Sequence, residues 1–414
     1  MRRFLLSIVL GISVCSLSAQ KKIYIPEDLQ KMNMESDTAQ WSFKRSAETR
    51  DLVFFWERGF GHDLQDVPQL DGKPMNVNLS VLMERLQSFY TFFRDSLGFG
   101  NPNSNADHYK MMVMLMYSLD GTAYGGTYDD FIGGLWVAPN RIQDKTMNCM
   151  AHELGHSFQL QIPADKVGDA WGGSGFYEMT SQWMLWQVNP WWLRDENYHF
   201  EAFKRLTHKA YLAMENIYHS PYVIQWWSDL RGRKTIAELY RQGHRGEDPV
   251  ITYKRMFNMS QQQFCLEMLS GYQHLVDFDF QHARKETRSY AQTWSTRLDT
   301  LCTGWLVPKD TLEDYGFHII PLTVGKKMPR PRVEILQKSA HGSVMWALVG
   351  IDSKGCPVYG KPGQKRLEAK DLKKLYLVVM GAPKEHKSLY QPFNEEDNIT
   401  DGDAPRHYLY RLKY

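Results

Sequence analysis

Two histidines stand four residues apart in the segment NCMAHELGHSFQL, and a glutamate follows the first of them. On a helix, residues at this spacing lie one above the other, so His152 and His156 would present two imidazoles from one face, as Zn²⁺ requires. Glu153 would be rotated by about 100° from His152 and could reach a water at the metal without becoming a ligand. The motif therefore predicts a catalytic zinc site. In the alternative, the two histidines bind nothing, but a buried imidazole pair without polar partners would be costly.

A catalytic zinc ion needs a third protein ligand and an open position for water. Five residues downstream of the motif are candidates for that ligand: Asp165, Asp169, Glu178, His199 and His208. The segment SFQLQIPADK lacks the glycine and the histidine that the metzincin pattern requires after the motif. Glu178 is favoured because apolar residues surround it on a second predicted helix, where an unpaired carboxylate would be costly. In the alternative, Glu178 faces solvent or caps that helix.

Two further residues share the neighbourhood of the predicted ligands. Gln182 follows Glu178 by one helical turn, at a position from which a side chain can orient a ligand histidine. Cys149 shares the helix face of His152 and His156. We expect Cys149 to be a small buried neighbour, because a fourth protein ligand would leave no position for water.

This set of residues predicts metal-assisted hydrolysis of a peptide bond. Zinc lowers the pKa of its water towards about 7 and polarises the substrate carbonyl, while Glu153 accepts the water proton and passes it to the leaving amine. A further donor should stabilise the oxyanion that forms. Tyr222 and His219, in the segment YHSPYVIQWW, are the candidates for that donor. The segment GGLWVAP is expected to be an edge strand that pairs with an extended peptide.

The thirteen tryptophans raise a different class of function. A glycan-binding or adhesion-type protein with a degenerate or non-peptidase zinc site would stack sugars on such rings. Trp183 and Trp186, however, are three residues apart, which is the spacing of a helix core. A pure binding protein has no use for a general base, so Glu153 favours an enzyme. A protease that acts on glycoproteins would combine the two classes.

The first nineteen residues, MRRFLLSIVLGISVCSLSA, have the layout of a secretory signal that is cleaved near Ala19. The apolar run is too short to span a bilayer, so we expect a secreted protein, periplasmic or extracellular, without a membrane span. Without Arg2 and Arg3 the chain has 47 basic and 47 acidic residues, which gives no electrostatic reason for a nucleic-acid partner. The four cysteines beyond the leader allow at most two disulfides. The expected partner is an extracellular protein, peptide or glycoprotein substrate.

The pattern of elements predicts an α+β protein in three parts after a signal peptide at residues 1–19. Residues 20–160 should form an α/β subdomain, with a mixed sheet, that ends in the HELGH helix. Residues 161–308 should form a helical subdomain with the glutamate helix, since the signals from about 196 to 303 are almost entirely helical. Residues 309–414 should form a small antiparallel β-sandwich that does not contribute to the metal site.

Local signals within the first subdomain place the motif after a series of strands. We predict strands at residues 51–56, 110–118 and 133–139, with a glycine-rich loop between the last two. The helix that carries the motif should begin at Asp144, as its N-cap, and stop at Pro163.

A longer pattern resembles known families. HELGH followed by a glutamate helix is similar to the gluzincin branch of the zincin metallopeptidases. The segments DLVFFWERGFG, IGGLWVAP, AHELGHSFQ, GFYEMTSQW and KLYLVVMGAPKEH resemble, over nearly the whole mature chain, a family of secreted proteins of Bacteroidetes catalogued as domain of unknown function 6055. The resemblance implies a zincin-like metallopeptidase without a known substrate. It implies that His152, His156 and Glu178 bind the metal and that Glu153 is catalytic.

Overall fold

The computed structural model describes residues 20–168, 171, 175–325, 328–336, 340–368, 371–388 and 405–414. The predicted signal peptide and the candidate ligand Asp169 lie outside the described residues. Helices and three β-sheets make up the described part, so the predicted α+β class is confirmed. No helix among the described residues combines the length and the apolar character that crossing a bilayer requires.

The first sheet has five strands and lies in the N-terminal part. Its strands are β1 (Ser46–Glu48), β2 (Leu52–Trp56), β3 (Met111–Leu115), β4 (Ala123–Tyr128) and β5 (Ile132–Val137). The order is β1-β2-β3-β5-β4; β2, β3 and β5 are parallel, and the two outer strands are antiparallel to their neighbours. All side chains of β2 and β3 are buried, as expected for central strands covered on both faces.

Four helices accompany this sheet: α1 (Glu27–Gln30), α2 (Leu79–Thr91), α3 (Asn105–His108) and α4 (Asn148–Ala164). The α2 helix continues into a π-turn at Phe92–Ser96. Short 3-10 turns lie at Phe43–Arg45, Arg58–Phe60, Pro139–Arg141 and, later in the chain, Met214–Asn216.

The start of α4 differs from the sequence prediction. Asp144 does not cap this helix; its carboxylate accepts hydrogen bonds from Thr146 in the preceding turn. The helix begins after Met147, whose φ of 53° lies in the left-handed region and turns the chain into the helix axis. Pro163 is part of the last turn, so the predicted end is correct within one residue.

The edge of the sheet also differs from the prediction. The glycine-rich segment expected to be a loop contains β4, which pairs along the whole of β5. The segment GGLWVAP is therefore an inner strand, and β4 is the edge. Glycine has a low propensity for β-strands, so the sequence did not predict β4. The close approach of α4 requires glycine at position 125, because a Cβ on Gly125 would lie 1.8 Å from the carbonyl oxygen of Glu153.

Seven helices follow in the middle of the chain. They are α5 (Gly175–Val188), α6 (Trp192–Asp195), α7 (Asn197–Leu206), α8 (Tyr222–Arg231), α9 (Thr235–Gln242), α10 (Pro249–Met256) and α11 (Gln261–Val276). The helical region ends at Val276, well before residue 303. Residues 277–297 form turns and extended segments, because the polar side chains there bond to the backbone locally in place of a helix.

The C-terminal part consists of two four-stranded antiparallel sheets. The strands are β6 (Leu298–Thr300), β7 (Leu306–Pro308), β8 (Phe317–Leu322), β9 (Arg332–Ile335), β10 (Gly342–Asp352), β11 (Pro357–Tyr359), β12 (Leu372–Pro383) and β13 (Tyr410–Lys413). One sheet has the order β11-β10-β12-β8 and the other β6-β7-β13-β9. Because β6 and β7 pair in the second sheet, the β-rich part begins near residue 298, not at 309.

The β-rich part is joined to the helices by a common core. Alternate residues of β12 point to opposite faces, so Leu377 and Val379 face the interior of the sandwich, while Val378 and Met380 belong to the core shared with the helices. The α11 helix packs on β10 and β12, and Gln273 donates to two backbone carbonyls of the β-rich part. The two antiparallel sheets of the β-rich part are therefore not packed as a separate unit, because one of them shares a core with the helices.

The shared core predicts that a fragment of residues 20–308 does not fold. Removal of the later strands uncovers the apolar face of α11 and leaves β6 and β7 without β13, so the fragment exposes a large apolar surface. We expect it to lose the cooperative thermal transition of residues 20–414, measured by calorimetry on both chains. A fragment with a cooperative transition would contradict the common core.

The contact between β4 and α4 predicts that Gly125→Ala destabilises the protein. The added methyl group must displace the backbone of α4, and overpacking of this kind costs about 1 to 3 kcal/mol or more. The matched control is Gly325→Ala, because a Cβ at Gly325 meets nothing within 4 Å and we expect no change in stability. Urea denaturation measures the free energy of unfolding of both variants. Equal values for the two would argue against the close contact between β4 and α4.

Candidate functional site

Two adjacent helices bring together the three side chains that the sequence predicted as ligands. His152 and His156 lie one turn apart on α4, and Glu178 lies in the first turn of α5, which packs along α4. Glu178 Oε2 is 2.9 Å from His152 Nε2 and 3.2 Å from His156 Nε2, and the two Nε2 atoms are 3.0 Å apart. All three side chains are buried.

Gln182 fixes the proton of the His152 ring. Its amide nitrogen donates to the backbone carbonyl of Tyr218 at 3.0 Å, so its amide oxygen is the atom that faces His152 Nδ1 at 3.3 Å. An oxygen can only accept, so Nδ1 carries the hydrogen and Nε2 keeps its lone pair. Gln182 therefore has the orienting position that the sequence predicted.

Gln159 does the same for the His156 ring, and the sequence did not indicate it. Its amide nitrogen donates to the backbone carbonyl of Tyr177 and to the hydroxyl of Ser181, which turns its oxygen towards His156 Nδ1 at 3.1 Å. His156 Nε2 therefore also keeps a lone pair. Gln159 lies one turn after His156 on the same helix face, a spacing that could have indicated it, but the orientation of its amide depends on contacts with α5.

While both imidazoles are neutral, three electron-pair donors thus meet at one point without a hydrogen between them. Such a group is stable only with a cation, which can be a metal ion or a proton. Two imidazole nitrogens and one carboxylate oxygen are a donor set that transition metals take in proteins. The arrangement is therefore able to hold a metal ion.

The charges within this group reinforce one another. Burial lowers the pKa of His152, but its hydrogen bond with Glu178 and the charges of Glu153 and Glu178 outweigh burial, and the net pKa is raised. Burial raises the pKa of Glu178, yet the hydrogen bonds from His152 and His156 leave it lowered. A proton and a metal ion would compete for the same lone pairs, since metal binding requires neutral imidazole.

Glu153 is the second carboxylate near the two histidines. His152, Glu153 and His156 each offer a ligand atom within 4.8 Å of the others, so Glu153 could also complete a metal group. The oxygen of Glu178 is closer, at 2.9 and 3.2 Å from the two nitrogens. In addition, Glu153 Oε2 accepts the backbone N–H of Gly125 on β4 at 3.0 Å. Glu178 is therefore closer than Glu153 to the two ring nitrogens, and Glu153 lies beside the group.

Tyr218 is a member of the site that the sequence did not reveal. Its ring lies over the ring of His152, with centroids 6.2 Å apart and an angle of 29° between the planes. Burial raises the pKa of Tyr218 to about 12, and the charge of Glu178 and a hydrogen bond with it add to the effect. The phenol therefore stays protonated at neutral pH. The residue is 43% exposed, so Tyr218 lies at the solvent side of the two buried histidines.

Tyr222, the donor that the sequence predicted, does not reach the site. It is the first residue of α8, its exposure is 2%, and its ring packs against Trp186, Phe203 and Phe278. Its hydroxyl has no hydrogen-bond partner among the described residues. This placement corrects the sequence prediction, because the start of α8 turns the ring into the core.

His219 lies at the end of a chain of side chains that leads to the site. Its Nδ1 is 2.7 Å from Nδ1 of His199, and His199 Nε2 is 3.2 Å from the amide nitrogen of Gln182. Burial lowers the pKa of His199 to about 3, with a further contribution from His219, so its ring is neutral. His219 is thus separated from His152 by two side chains, and a direct role as oxyanion donor stays a prediction.

The other ligand candidates have partners elsewhere. The carboxylate of Asp165 accepts hydrogen bonds from Asn101, Ser104 and Gln161. His208 is half-buried near Asp310 and Glu313, and the structure does not bring it to His152. Cys149 is half-buried and free, and burial raises the pKa of its thiol to about 11, so it remains a protonated neighbour as expected.

The family of unknown function DUF6055 matches residues 15–413 of the chain. The protein belongs to this family. No curated protein matches it. In this DUF6055 protein, His152, Glu153 and His156, with Glu178 beside them, form a group that can hold a metal ion.

The positions of Glu178 and Glu153 in this DUF6055 protein predict that the same substitution, glutamate to glutamine, affects Zn²⁺ binding differently at the two sites. Glu178→Gln replaces a proposed ligand oxygen. Loss of a residue that only orients a ligand weakens metal binding by about 10- to 100-fold, and we expect Glu178→Gln to weaken Zn²⁺ binding by more than that. Glu153→Gln should leave Zn²⁺ binding within about twofold, because its side chain lies beside the ligand group. Competition with a chromophoric chelator measures both affinities. If Glu153→Gln lost Zn²⁺ binding and Glu178→Gln kept it, Glu153 would be the metal ligand and Glu178 the residue beside it.

Proposed function

We propose that this chain is a secreted zinc-dependent metallopeptidase with a zincin-like fold of the gluzincin type. The observation that carries the proposal is the meeting of His152 Nε2, His156 Nε2 and Glu178 Oε2, with a second carboxylate, Glu153, beside them. The proposed substrates are extracellular proteins, peptides or glycoproteins.

The donor set fits zinc. Two imidazoles and one glutamate are among the ligand sets that catalytic zinc sites use, and three protein ligands leave a position for water. When bound, zinc lowers the pKa of a water molecule and polarises a carbonyl group. His152, His156 and Glu178 would hold the ion, and Gln182 and Gln159 keep both rings in the tautomer that binding needs.

Glu153 supplies the general base. Its carboxylate lies within reach of the ligand group, and the amide of Gly125 holds one of its oxygens. The other oxygen, which no hydrogen bond engages within the described residues, would accept a proton from the attacking water and return it to the leaving amine. The backbone of the edge strand thus positions the base.

Tyr218 supplies a hydrogen-bond donor for the substrate carbonyl. Its phenol is protonated, lies beside His152 and Glu178, and is partly exposed. A donor aimed at a developing oxyanion contributes to the rate more than to binding, because the bond strengthens as the charge forms. Tyr218 therefore replaces Tyr222 as the proposed oxyanion donor.

The edge strand β4 supports a peptide as the substrate. It borders α4, which carries Glu153, and its outer side is not paired with another strand among the described residues. An extended peptide can add to such an edge through backbone hydrogen bonds. The tryptophans give less support to glycan binding, since Trp183, Trp186, Trp192 and Trp227 are buried. Trp191 is exposed, but Arg194 lies over its ring.

The proposal predicts cleavage of peptide bonds that depends on Glu153. The zinc-loaded protein is incubated with a proteome-derived peptide library, and mass spectrometry identifies new termini. Glu153→Gln should abolish cleavage while it keeps zinc, because the base acts on water and does not bind the metal. Wild-type turnover by the zinc-loaded Glu153→Gln variant, or no cleavage by the wild-type protein, would contradict the proposal.

A peptide found in that library then tests Tyr218. Tyr218→Phe should lower kcat by about 10²- to 10³-fold, as loss of one oxyanion donor does in other hydrolases, with a much smaller change in KM. The matched control is Tyr222→Phe, which removes a hydroxyl that has no partner and lies in the core. If Tyr222→Phe lowered kcat and Tyr218→Phe did not, the donor would have been assigned wrongly.

A further inference from the structure

A row of polar side chains leads from His152 away from the metal group: Gln182, His199 and His219. Gln182 is on α5, His199 is in the first turn of α7, and His219 lies in the segment before α8. Gln182 and His199 are buried, whereas His219 is half-buried. The row therefore runs from the metal group towards the surface, and the proposed hydrolysis uses neither His199 nor His219.

A backbone carbonyl fixes the hydrogens of this row. Gln182 Nε2 donates to the carbonyl of Tyr218 and lies 3.2 Å from His199 Nε2. Because an amide nitrogen only donates, His199 Nε2 is the acceptor. Burial lowers the pKa of His199 to about 3, so its ring is neutral and carries its hydrogen on Nδ1. Glu196 Oε2, 3.6 Å from His199 Nε2, accepts a hydrogen bond from the indole of Trp192.

His219 is the acceptor at the outer end of the row. His199 Nδ1 is 2.7 Å from His219 Nδ1, so the hydrogen on His199 is donated to the lone pair of His219. Burial and the charge of Arg205 lower the pKa of His219, which keeps that lone pair free of a proton. Each side chain in the row thus donates to the next one, away from the metal group. Hydrogen bonds aligned in this way polarise and strengthen one another.

We propose that His199 and His219 are positioning residues for His152, which they orient through Gln182. An amide nitrogen with one acceptor can rotate about that hydrogen bond, whereas two acceptors fix the plane of the amide and the direction of its oxygen. His199 is the second acceptor of Gln182, and His219 holds His199 in the tautomer that accepts. This role rests on the proposed function, since the orientation of His152 matters here only because His152 binds the metal.

The test is a double-mutant cycle on the Zn²⁺ affinity of the whole protein, measured by competition with a chromophoric chelator. His199→Phe keeps a ring beside Trp192 and Tyr198 but removes the acceptor. We expect it to weaken Zn²⁺ binding about tenfold, at the lower end of the range for orienting residues. Gln182→Met removes the amide and should weaken binding by at least as much. The double variant should bind as Gln182→Met does, because His199 acts through Gln182.

The matched control is His199→Gln. Its side-chain oxygen can take the place of Nε2 and accept from Gln182, so Zn²⁺ affinity should stay within about threefold of the wild type. If His199→Phe lacks a cooperative thermal transition, the half-buried His219 provides the same comparison. His219→Leu removes the acceptor of the His199 hydrogen and should weaken Zn²⁺ binding, whereas His219→Asn keeps an oxygen there and should not.

Equal Zn²⁺ affinities of His199→Phe and the wild type would overturn this role, as would a loss in His199→Gln as large as that in His199→Phe. Equal affinities of the two His219 variants would count against it in the same way. If the loss in the double variant were the product of the two single losses, His199 would act independently of Gln182, and the role would also be overturned. A wild-type protein that binds no Zn²⁺ would overturn the proposed function together with this role, whereas the other outcomes leave the proposed function intact.

Discussion

The structure of the site depends on the approach of three electron-pair donors within 3.2 Å of one another in the protein interior. Such an arrangement is unfavourable unless a cation occupies it, so the surrounding structure must hold it together. The close packing of α4 and α5 supplies that constraint. Gly155 makes it possible, because a Cβ there would lie 2.9 Å from the hydroxyl of Ser181 on α5. The energetic cost of the group is thus offset by helix packing, and a cation would offset it further.

The side chains that face the Nδ1 atoms of His152 and His156 are amides. Gln182 and Gln159 each use the amide nitrogen on a backbone carbonyl and the oxygen on a ring nitrogen, so the backbone sets the tautomer of each histidine. A carboxylate in the same place would add negative charge and make the rings more basic. Amides orient the rings without that charge. Gln182 also ties the backbone at Tyr218 to the ring of His152.

The β-rich part shares a hydrophobic core with the helices. Its strand β12 is buried on both faces, towards the second sheet on one side and towards α11 on the other. A buried pair between His386 and Asp248, 2.6 Å apart, adds a polar contact across this junction. The apolar area at the junction is what makes the two parts fold together, since each would otherwise expose a face of its core.

The sequence by itself determined the features that depend on local periodicity: the α+β class, the helix face shared by His152 and His156, and the helix that carries Glu178. These follow from the 3.6-residue repeat and from the cost of an unpaired buried carboxylate. Only the tertiary structure decided that AYGGTY is the edge strand, because the close approach of α4 requires glycine at Gly125, and strand propensity does not reveal that contact. It also placed Tyr218, and not Tyr222, beside His152. The two lie four residues apart, and only packing turns one ring onto His152 and the other into the core, because the start of α8 is fixed by contacts distant in the sequence.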